Sequence, residues 1–562
     1  MSNRPSSVRH VVVASAVLMS VLLYLDRFCV SFAELYMKQD LGLTDMQVGW
    51  MFSAFFWAYA LAQVPSGWMT DRWGARVTLT VYILGWSACV AAMGLAQGIV
   101  LLLVARFACG LFQAGAYPTG AAILARWVPL ATRGLASSLV ALGGRLGGAL
   151  APLLTALLIV AFVPTRLGGR FEPGDIFAPG ELCQTWLGAT ANQKKPHEHS
   201  VATTLFARLT TEEKEYVKKL AAGQTAGVSA TETQHKLAGI LNRLLDEPDL
   251  FGPDKLQPHV LSYEGQRLLK KQSLEPAERQ RLNRLVIETL FTSEIRRVYT
   301  AGWRPIMFTY GLVGIPIALL FWSVYRNRPE EHPWCNELER RLVSEGKPQH
   351  NTEQPIGGAP IGALAKHFSM WCNSLSQFAT NVGWIFLVTW LPRYLDEVHR
   401  VPVERRAWMT LTPILIGFLG LVAGGRLTDR LVAIVGLRWG RALPMGLSKF
   451  LAMGAYLLCL LHPSAEGCVV LFAVVAFASD MGIGAIWAYA QDVGGRHVGS
   501  VLGWANMWGN IGAAIGPVLL VAAVGETNNW DRAFLVCAGA YAVAAVSALL
   551  IDAEKPLLPQ ES

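Results

Sequence analysis

Charged residues lie inside long apolar stretches of this 562-residue chain, where they could bind a solute. Asp26 and Arg27 are adjacent in the first stretch. An ionised side chain in a membrane helix is costly unless it faces a cavity or a partner, so it marks a functional site by default. The planar donor fork of Arg27 suits a carboxylate, and Asp26 points about 100° away from it on a helix. We predict that Arg27 binds an anion, with a structural ion pair as the alternative.

Two further arginines lie within apolar stretches. Arg106 and Gln113 are seven residues apart and therefore share a helix face. Arg145 lies about 12 residues into its stretch, or ~18 Å deep at 1.5 Å per residue. A second central arginine favours a more anionic substrate, such as a dicarboxylate or a phosphate ester. A structural contact with a backbone carbonyl or with Asp480, itself a candidate titrating group, is the alternative.

Side-chain amides recur at helical spacing in two later stretches. Asn373, Gln377 and Asn381 are four residues apart, as are Asn506 and Asn510. Residues at this spacing form one stripe on a helix. Such stripes can donate to and accept from the hydroxyl groups of a sugar, and they can equally hold helices together.

The elements that position these residues are membrane helices. Hydrophobic residues make up 53% of the chain and charged residues 16%, whereas soluble domains carry about 25% charged residues. Apolar stretches of about 20 residues can cross a ~30 Å hydrocarbon core, and lipid leaves the backbone no structure but the helix. We expect an all-α membrane protein with twelve transmembrane helices. They run near 10–33, 47–69, 77–97, 99–125, 133–162, 303–325, 368–391, 408–429, 439–461, 467–491, 498–524 and 533–551.

The distribution of lysine and arginine among the short loops favours a multi-pass topology with both termini in the cytoplasm. The net charge of +8 then needs no nucleic-acid partner. Residues 163–302 are rich in charge and in helix signals, such as the capping-box spacing of Thr210 and Glu213, and we expect a helical extracytoplasmic insertion. The predicted divisions are an N-terminal half (1–162), this insertion (163–302), helix 6 (303–325), a cytoplasmic linker (326–367) and a C-terminal half (368–562).

The two halves share an internal repeat. Three residues at the end of the second stretch recur at a single offset: Gly67, Asp71 and Arg72 as Gly425, Asp429 and Arg430. Glycines of the fifth and eleventh stretches match as well, Gly147 with Gly512 among them. Two six-helix halves with parallel symmetry are a recurrent transporter plan, with the substrate near the membrane midplane between them.

The segment GWMTDRWGAR at residues 67–76 resembles the loop signature of the major facilitator superfamily. The residues that carry this resemblance are Gly67, Asp71, Arg72, Gly74 and Arg76, with a weaker copy at Asp429 and Arg430. The resemblance implies a cytoplasmic gate. Asp71 can pair with a neighbouring helix N-terminus or an arginine while the cytoplasmic side is closed.

Three more segments resemble the anion:cation symporter branch of that family, which includes sugar-acid and phthalate transporters, sialin and the vesicular glutamate transporters. They are YLDRFCVSFA, RFACGLFQAGAYPTGAAILARWVP and RNRPEEHP. The resemblance implies that Arg27 engages the substrate anion and that Asp26 takes part in proton coupling. It also places Tyr24, Tyr59 and Trp487 beside the substrate.

Gln113 departs from many proton-coupled relatives, which have a glutamate at this position. Because an amide cannot take up and release a proton, either Asp26 suffices for coupling or coupling is lost. If coupling is lost, the protein would be a voltage-driven anion uniporter. Two further alternatives are a carrier of neutral sugars or drugs and a transporter-like receptor or sensor that uses the insertion.

The function predicted is that of a secondary active transporter. It would move a small organic anion, a sugar acid or a related carboxylate, across a bacterial cytoplasmic membrane by alternating access and proton-coupled uptake. The sequence indicates a monomer whose partners are the solute, protons and lipid, and it indicates no partner for the insertion. It offers no catalytic constellation, no metal site and no cofactor site.

Overall fold

The computed structural model is almost entirely helical in the residues that it describes. These are 4–165, 169–192, 196–224, 229–248, 250–251, 261–291, 293–345, 357–399, 401, 403–525 and 529–558. Within those ranges the extended pairing is limited to one bridge between Ile176 and Ile295. Helices dominate because a chain in lipid must satisfy its backbone hydrogen bonds within each segment.

The first helices occupy the N-terminal part of the chain. They are α1 (Val8–Leu41), α2 (Asp45–Trp73), α3 (Ala75–Met93), α4 (Ile99–Ala114), α5 (Ala116–Trp127) and α6 (Arg133–Phe162). A capping box fixes the start of α2, where the Thr44 hydroxyl accepts from the Gln47 N–H. The predicted stretch 99–125 is divided between α4 and α5 at Gly115, where a side chain would collide with the ring of Tyr82.

The middle of the chain folds into short helices around a hydrophobic core of its own. They are α7 (Pro179–Ala191), α8 (Pro196–Ala207), α9 (Thr211–Ala221), α10 (Ala230–Leu245), α11 (Tyr263–Leu269) and α12 (Pro276–Leu290). Trp186, Leu241 and Val286 are fully buried in that core. The capping box predicted for Thr210 and Glu213 is confirmed at the start of α9.

Polar contacts attach this segment to the end of α1. Asp40 lies 3.3 Å from a guanidinium nitrogen of Arg296 and also accepts at 2.9 Å from Arg304, which belongs to the helix that follows the segment. The side-chain oxygen of Gln39 accepts from the Arg297 backbone N–H at 3.1 Å and from the Thr300 hydroxyl at 3.2 Å. The short helices are therefore tied to the N-terminal part of the chain.

The remaining helices form the C-terminal part. They are α13 (Trp303–Val324), α14 (Glu337–Ser344), α15 (Ile361–Lys366), α16 (Phe368–Ile385), α17 (Leu391–Glu397), α18 (Val403–Cys459), α19 (Ala465–Met481), α20 (Ile483–Val493), α21 (Val498–Val524) and α22 (Trp530–Leu549). A π-helical turn at Phe386–Trp390 joins α16 to α17. Gly436, at φ 82° and ψ 177°, interrupts α18 between the predicted stretches 408–429 and 439–461.

Nine helices in the described part of the chain are long and apolar enough to cross a membrane. The interrupted α18 counts once among them, and α2 and α16 are absent from the set. Aromatic, small and polar residues lower the mean hydropathy of α2 and α16. Length and composition alone therefore give fewer spans than the twelve that the sequence predicts.

The helices pack as two bundles. The N-terminal bundle consists of α1–α6 with α13, and the C-terminal bundle of α16–α22. Equivalent glycines bring equivalent helices together. A side chain at Gly147 of α6 would collide with the backbone carbonyl of Val21 on α1, and one at Gly512 of α21 would collide with that of Phe378 on α16. The repeat in the sequence thus corresponds to a repeated helix contact.

We expect Gly147→Ala to destabilise the protein, because its Cβ would meet the backbone of Val21 and force α1 and α6 apart. Overpacking of this kind costs about 1–3 kcal/mol. Gly148→Ala is the matched control, since its Cβ would lie 3.5 Å from the rings of Tyr24 and Phe28. Thermal unfolding in detergent, followed by size-exclusion chromatography, checks both variants. Equal melting temperatures would contradict the close-packing account.

Candidate functional site

A polar cavity of about 260 Å³ lies between the two bundles. Its lining comes from helices of both bundles and comprises Tyr24, Arg27, Tyr59, Tyr117, Ala141, Arg145, Gln377, Thr380, Asn381, Trp384, Lys449, Ser479, Asp480, Ile483, Ile486, Trp487, Asn506, Gly509 and Asn510. Every residue predicted to bind the substrate is in this set except Asn373 of the first amide stripe. Its charged members are three cations and one carboxylate, so the cavity is suited to an anion.

Arg27 of α1 reaches the cavity without an acidic partner. Its Nε donates to the Gln113 amide oxygen at 3.1 Å, and its guanidinium lies 4.4 Å from the ring centroid of Tyr59 and 4.9 Å from that of Tyr24. No carboxylate of the described residues lies within 4 Å of it, and its buried Nη2 has no hydrogen-bond acceptor. A guanidinium with unused donors beside a cavity can bind an anion.

Arg145 of α6 reaches the opposite bundle. Its Nη2 donates to Oδ1 of Asp480 on α19 at 2.7 Å, and its guanidinium lies 4.7 Å from the ring centroid of Trp384. The contact with Asp480 that the sequence analysis left open is therefore present. Both side chains line the cavity.

Lys449 of α18 is a cationic lining residue that the sequence analysis missed. The side chain is buried, and its Nζ donates to the Ser479 carbonyl at 3.1 Å. The rule that ionisable residues inside membrane helices mark function would have found it. Tyr117, another omission, lies with its ring centroid 4.9 Å from that of Trp487 and forms part of an aromatic wall.

The two amide stripes face the cavity in part. Gln377 and Asn381 line it from α16, and Asn506 and Asn510 from α21. Asn381 and Asn510 each donate to the carbonyl four residues earlier, at 2.9 and 2.7 Å. Asn373 is buried away from the cavity, and neither of its amide atoms has a partner.

Asp26 and Arg106 lie behind the cavity. Trp86 donates its indole N–H to Oδ2 of Asp26 at 2.9 Å, and Oδ1 has no partner. The Arg106 guanidinium lies 4.4 Å from the ring centroid of Phe55, and its Nε and Nη1 have no acceptor. Arg106 and Gln113 were predicted to share a helix face, but they form no hydrogen bond with each other. Gln113 bonds to Arg27 instead.

The bundles also meet at one end, which we call the closed end, where α2 stops and α6 and α21 begin. Asp71 of α2 accepts from the N–H groups of Gly499 and Ser500, at 2.8 and 2.9 Å, and from the Ser500 hydroxyl at 2.7 Å. These groups form the N-terminus of α21, where free N–H donors and the helix dipole favour a carboxylate.

An equivalent contact at the same end joins an aspartate of the C-terminal bundle to a helix N-terminus of the N-terminal bundle. Asp429 of α18 accepts from the N–H groups of Gly134 and Leu135, which begin α6, at 2.8 and 2.9 Å. Asp492 accepts beside it from Arg133 at 2.6 Å and from Arg441 at 2.7 Å. Asp429 was predicted as part of the gate motif. Its partners and the contacts of Asp492 were not predicted, because these residues are distant in sequence and carry no motif.

The other residues of the signature occupy the closed end with different contacts. Gly67 touches Gly499 so closely that a side chain would not fit, and Gly74 has φ +84° beside the Asn327 amide. Arg76 donates to the Trp322 carbonyl at 3.0 Å. The guanidinium of Arg72 lies 5.4 Å from the ring centroid of Trp68, and Arg430 is exposed.

The part of the chain that the structure describes contains no group of three or more His, Cys, Asp and Glu side chains arranged to hold a metal ion. What the site presents is positive charge, amides and aromatic rings around a cavity that both bundles share. This arrangement can bind an anion that carries hydroxyl groups.

Comparison with known proteins gives matches over the whole chain. The probable sulfoacetate transporter SauU of Cupriavidus necator is 22% identical over 99% of this chain and 95% of its own length. The probable galactarate/D-glucarate transporter GudP of Escherichia coli is 23% identical over 97% and 93%. The hexuronate transporter of Bacillus subtilis is 22% identical over 93% and 89%.

Among solved structures, the transporter FucP in its outward conformation aligns with a TM-score of 0.55 at 15% identity, over 95% of this chain and 97% of FucP. The human organic anion transporter MFSD10 aligns with a TM-score of 0.51 at 13% identity, over 96% and 99%. These likenesses establish a common fold.

The sequence profile of the Major Facilitator Superfamily matches residues 16–167, 298–517 and 432–562. The curated relatives are named as transporters, so the protein is a multi-pass membrane transporter of bacterial type and not an enzyme. The match covers most of the chain and includes both bundles that enclose the cavity. The chain therefore belongs to the Major Facilitator Superfamily.

Proposed function

We propose that this protein carries a small organic anion of the sugar-acid class across the bacterial cytoplasmic membrane by alternating access. The observation that carries the proposal is the Arg27 guanidinium, which faces the cavity with an unused donor and no carboxylate partner. The amides of Gln377, Asn381 and Asn506 suit the hydroxyl groups of such a solute. Relatives named for galactarate, D-glucarate, hexuronate and sulfoacetate support this class.

The topology proposed has twelve spans. The nine apolar helices become ten when α18 is divided at Gly436, and α2 and the α16–α17 segment complete the number. The divisions remain 1–162, 163–302, 303–325, 326–367 and 368–562. Residues 168–297 fall between two parts of the family match, which supports an insertion, and the arginines of the short loops favour cytoplasmic termini.

In this topology the closed end faces the cytoplasm, and the cavity opens outwards. Asp71 and Asp429 then hold the cytoplasmic gate shut by binding the N-termini of α21 and α6. Because each aspartate bridges the two bundles, opening towards the cytoplasm requires both contacts to break. Arg72, Gly74, Arg76 and Arg430 belong to the same gate region.

Uptake is proposed to be coupled to protons through Asp26. Asp26 precedes Arg27 in the chain. Its carboxyl is buried, and one of its oxygens has no hydrogen-bond partner. A buried carboxylate that lacks a full set of partners is costly, and a bound proton removes that cost. Gln113 holds Arg27 in place and cannot carry the proton itself.

We expect Arg27→Gln to raise the KM for uptake of labelled D-glucarate into proteoliposomes by about 10- to 100-fold. A hydrogen bond to a charged group contributes about 1.5–3 kcal/mol, and each 1.4 kcal/mol is about tenfold in affinity. Arg341→Gln serves as the control, because that side chain is 77% exposed. An unchanged KM in Arg27→Gln would remove Arg27 from the binding site and favour a neutral solute.

We expect Asp71→Asn and Asp429→Asn to weaken the cytoplasmic gate, because a neutral amide offers one acceptor oxygen and no charge to a helix N-terminus. Spin labels at the exposed positions Arg328 and Ile434, in a background without the native cysteines, should report longer distances between the bundles.

The control for the gate experiment is Asp45→Asn, whose side chain is 92% exposed and pairs only with Lys38 in the described structure. Its label distances should match those of the otherwise unaltered protein. Unchanged distances in both gate variants would show that the two aspartates do not hold the closed end.

A further inference from the structure

The pair formed by Arg145 and Asp480 joins the two bundles inside the cavity. Arg145 belongs to α6 of the N-terminal bundle and Asp480 to α19 of the C-terminal bundle, with Nη2 and Oδ1 2.7 Å apart. Asp480 is the one carboxylate among the residues that line the cavity. Its side chain is 2% exposed, whereas that of Arg145 is 25% exposed. The ion pair is thus formed between two moving parts, at the place where the solute binds.

The groups that face Asp480 leave Arg145 as its main partner. From α18, Lys449 donates to the backbone carbonyl before Asp480, and its Nζ forms no ion pair within 4 Å in the described structure. From the same helix, Gly417 presents only backbone. From α22, the Tyr541 hydroxyl bonds to the Ser479 hydroxyl instead, and α16 contributes amides and no charge to this wall.

We propose that Asp480 is a second proton acceptor of the transport cycle, in addition to Asp26, and that its ion pair with Arg145 is a latch which the solute opens. This inference rests on the proposed anion transport. One solute carboxylate takes the place of the Asp480 carboxylate at the Arg145 guanidinium. The displaced carboxylate binds one proton from the external water and becomes a carboxylic acid. On the cytoplasmic side the solute leaves, the proton is released, and the ion pair forms again.

The cost of an unpaired buried charge links the two events. Once Arg145 turns to the solute, an ionised Asp480 would remain buried without its partner, which costs several kcal/mol. Neutralisation by a proton removes most of this cost. The latch would also place a titrating carboxyl, that of Asp480, at the cavity surface. Asp26 does not line the cavity, and Gln113, which bonds to Arg27, is an amide and cannot titrate.

Asp480→Asn tests the proposal in proteoliposomes with labelled D-glucarate. Under an inward gradient of about one pH unit or more, the variant should lose accumulation by about tenfold or more, because it carries one coupled proton fewer. It should retain glucarate exchange at equal pH within about threefold, because exchange needs no net proton movement. Asp531→Asn, an external carboxylate that is 43% exposed, should behave like the unaltered protein. Gradient-driven accumulation in Asp480→Asn as high as in the unaltered protein would overturn the proposal.

A second measurement is needed if Asp480→Asn is inactive in both transport assays. This measurement does not depend on the solute. The infrared difference spectrum between low and high pH should contain the carbonyl band of a protonated carboxyl, and Asp480→Asn should lose part of it. Asp480→Glu should restore it at a shifted frequency. If the unaltered protein moves no sugar acid, the proposed function fails while this spectrum still decides whether Asp480 binds a proton. Identical spectra for Asp480→Asn and the unaltered protein would overturn the proposal.

Discussion

A charge buried in the membrane core needs an opposite charge, polar partners or access to water, and the cavity between the bundles follows from this constraint. Four cationic side chains lie within the membrane helices near the centre of the fold: Arg27, Arg106, Arg145 and Lys449. Three of them line one cavity, where Asp480 is the one carboxylate. The excess of positive charge is stable there only if water or an anion reaches it. The charge of the site therefore supports the proposal that it binds an anion.

A second constraint concerns helix termini. The N–H groups that begin α6 and α21 have no acceptor within their own helices, and each set receives an aspartate from the opposite bundle. Glycines at Gly67, Gly425 and Gly499 allow the backbones to approach closely enough for these bonds. The repeated glycine and aspartate of the sequence thus specify a repeated contact. Because both contacts cross between bundles, they are suited to form and break as the bundles move.

Most of the fold could be predicted because lipid restricts the backbone to helices, so apolar length gives helix position. The predicted stretch 133–162 coincides with α6 (Arg133–Phe162). Helical spacing grouped Gln377 with Asn381, and the cost of a charge in lipid singled out Arg27. All three residues line the cavity. The contact between Arg145 and Asp480 remained an alternative, because the sequence does not show which helices face each other in a bundle. Lys449 was missed although its position inside an apolar stretch marks it as a candidate. Asp26 faces Trp86 because neighbouring helical residues point in different directions.

The central claim is that the cavity selects an anion. Uptake into proteoliposomes of labelled D-glucarate, galactarate, a hexuronate, sulfoacetate and a neutral hexose, each under an imposed inward pH gradient, tests it most directly. The account predicts saturable accumulation of at least one of the anions and none of the neutral hexose. Accumulation of the neutral hexose together with no uptake of any anion would contradict it.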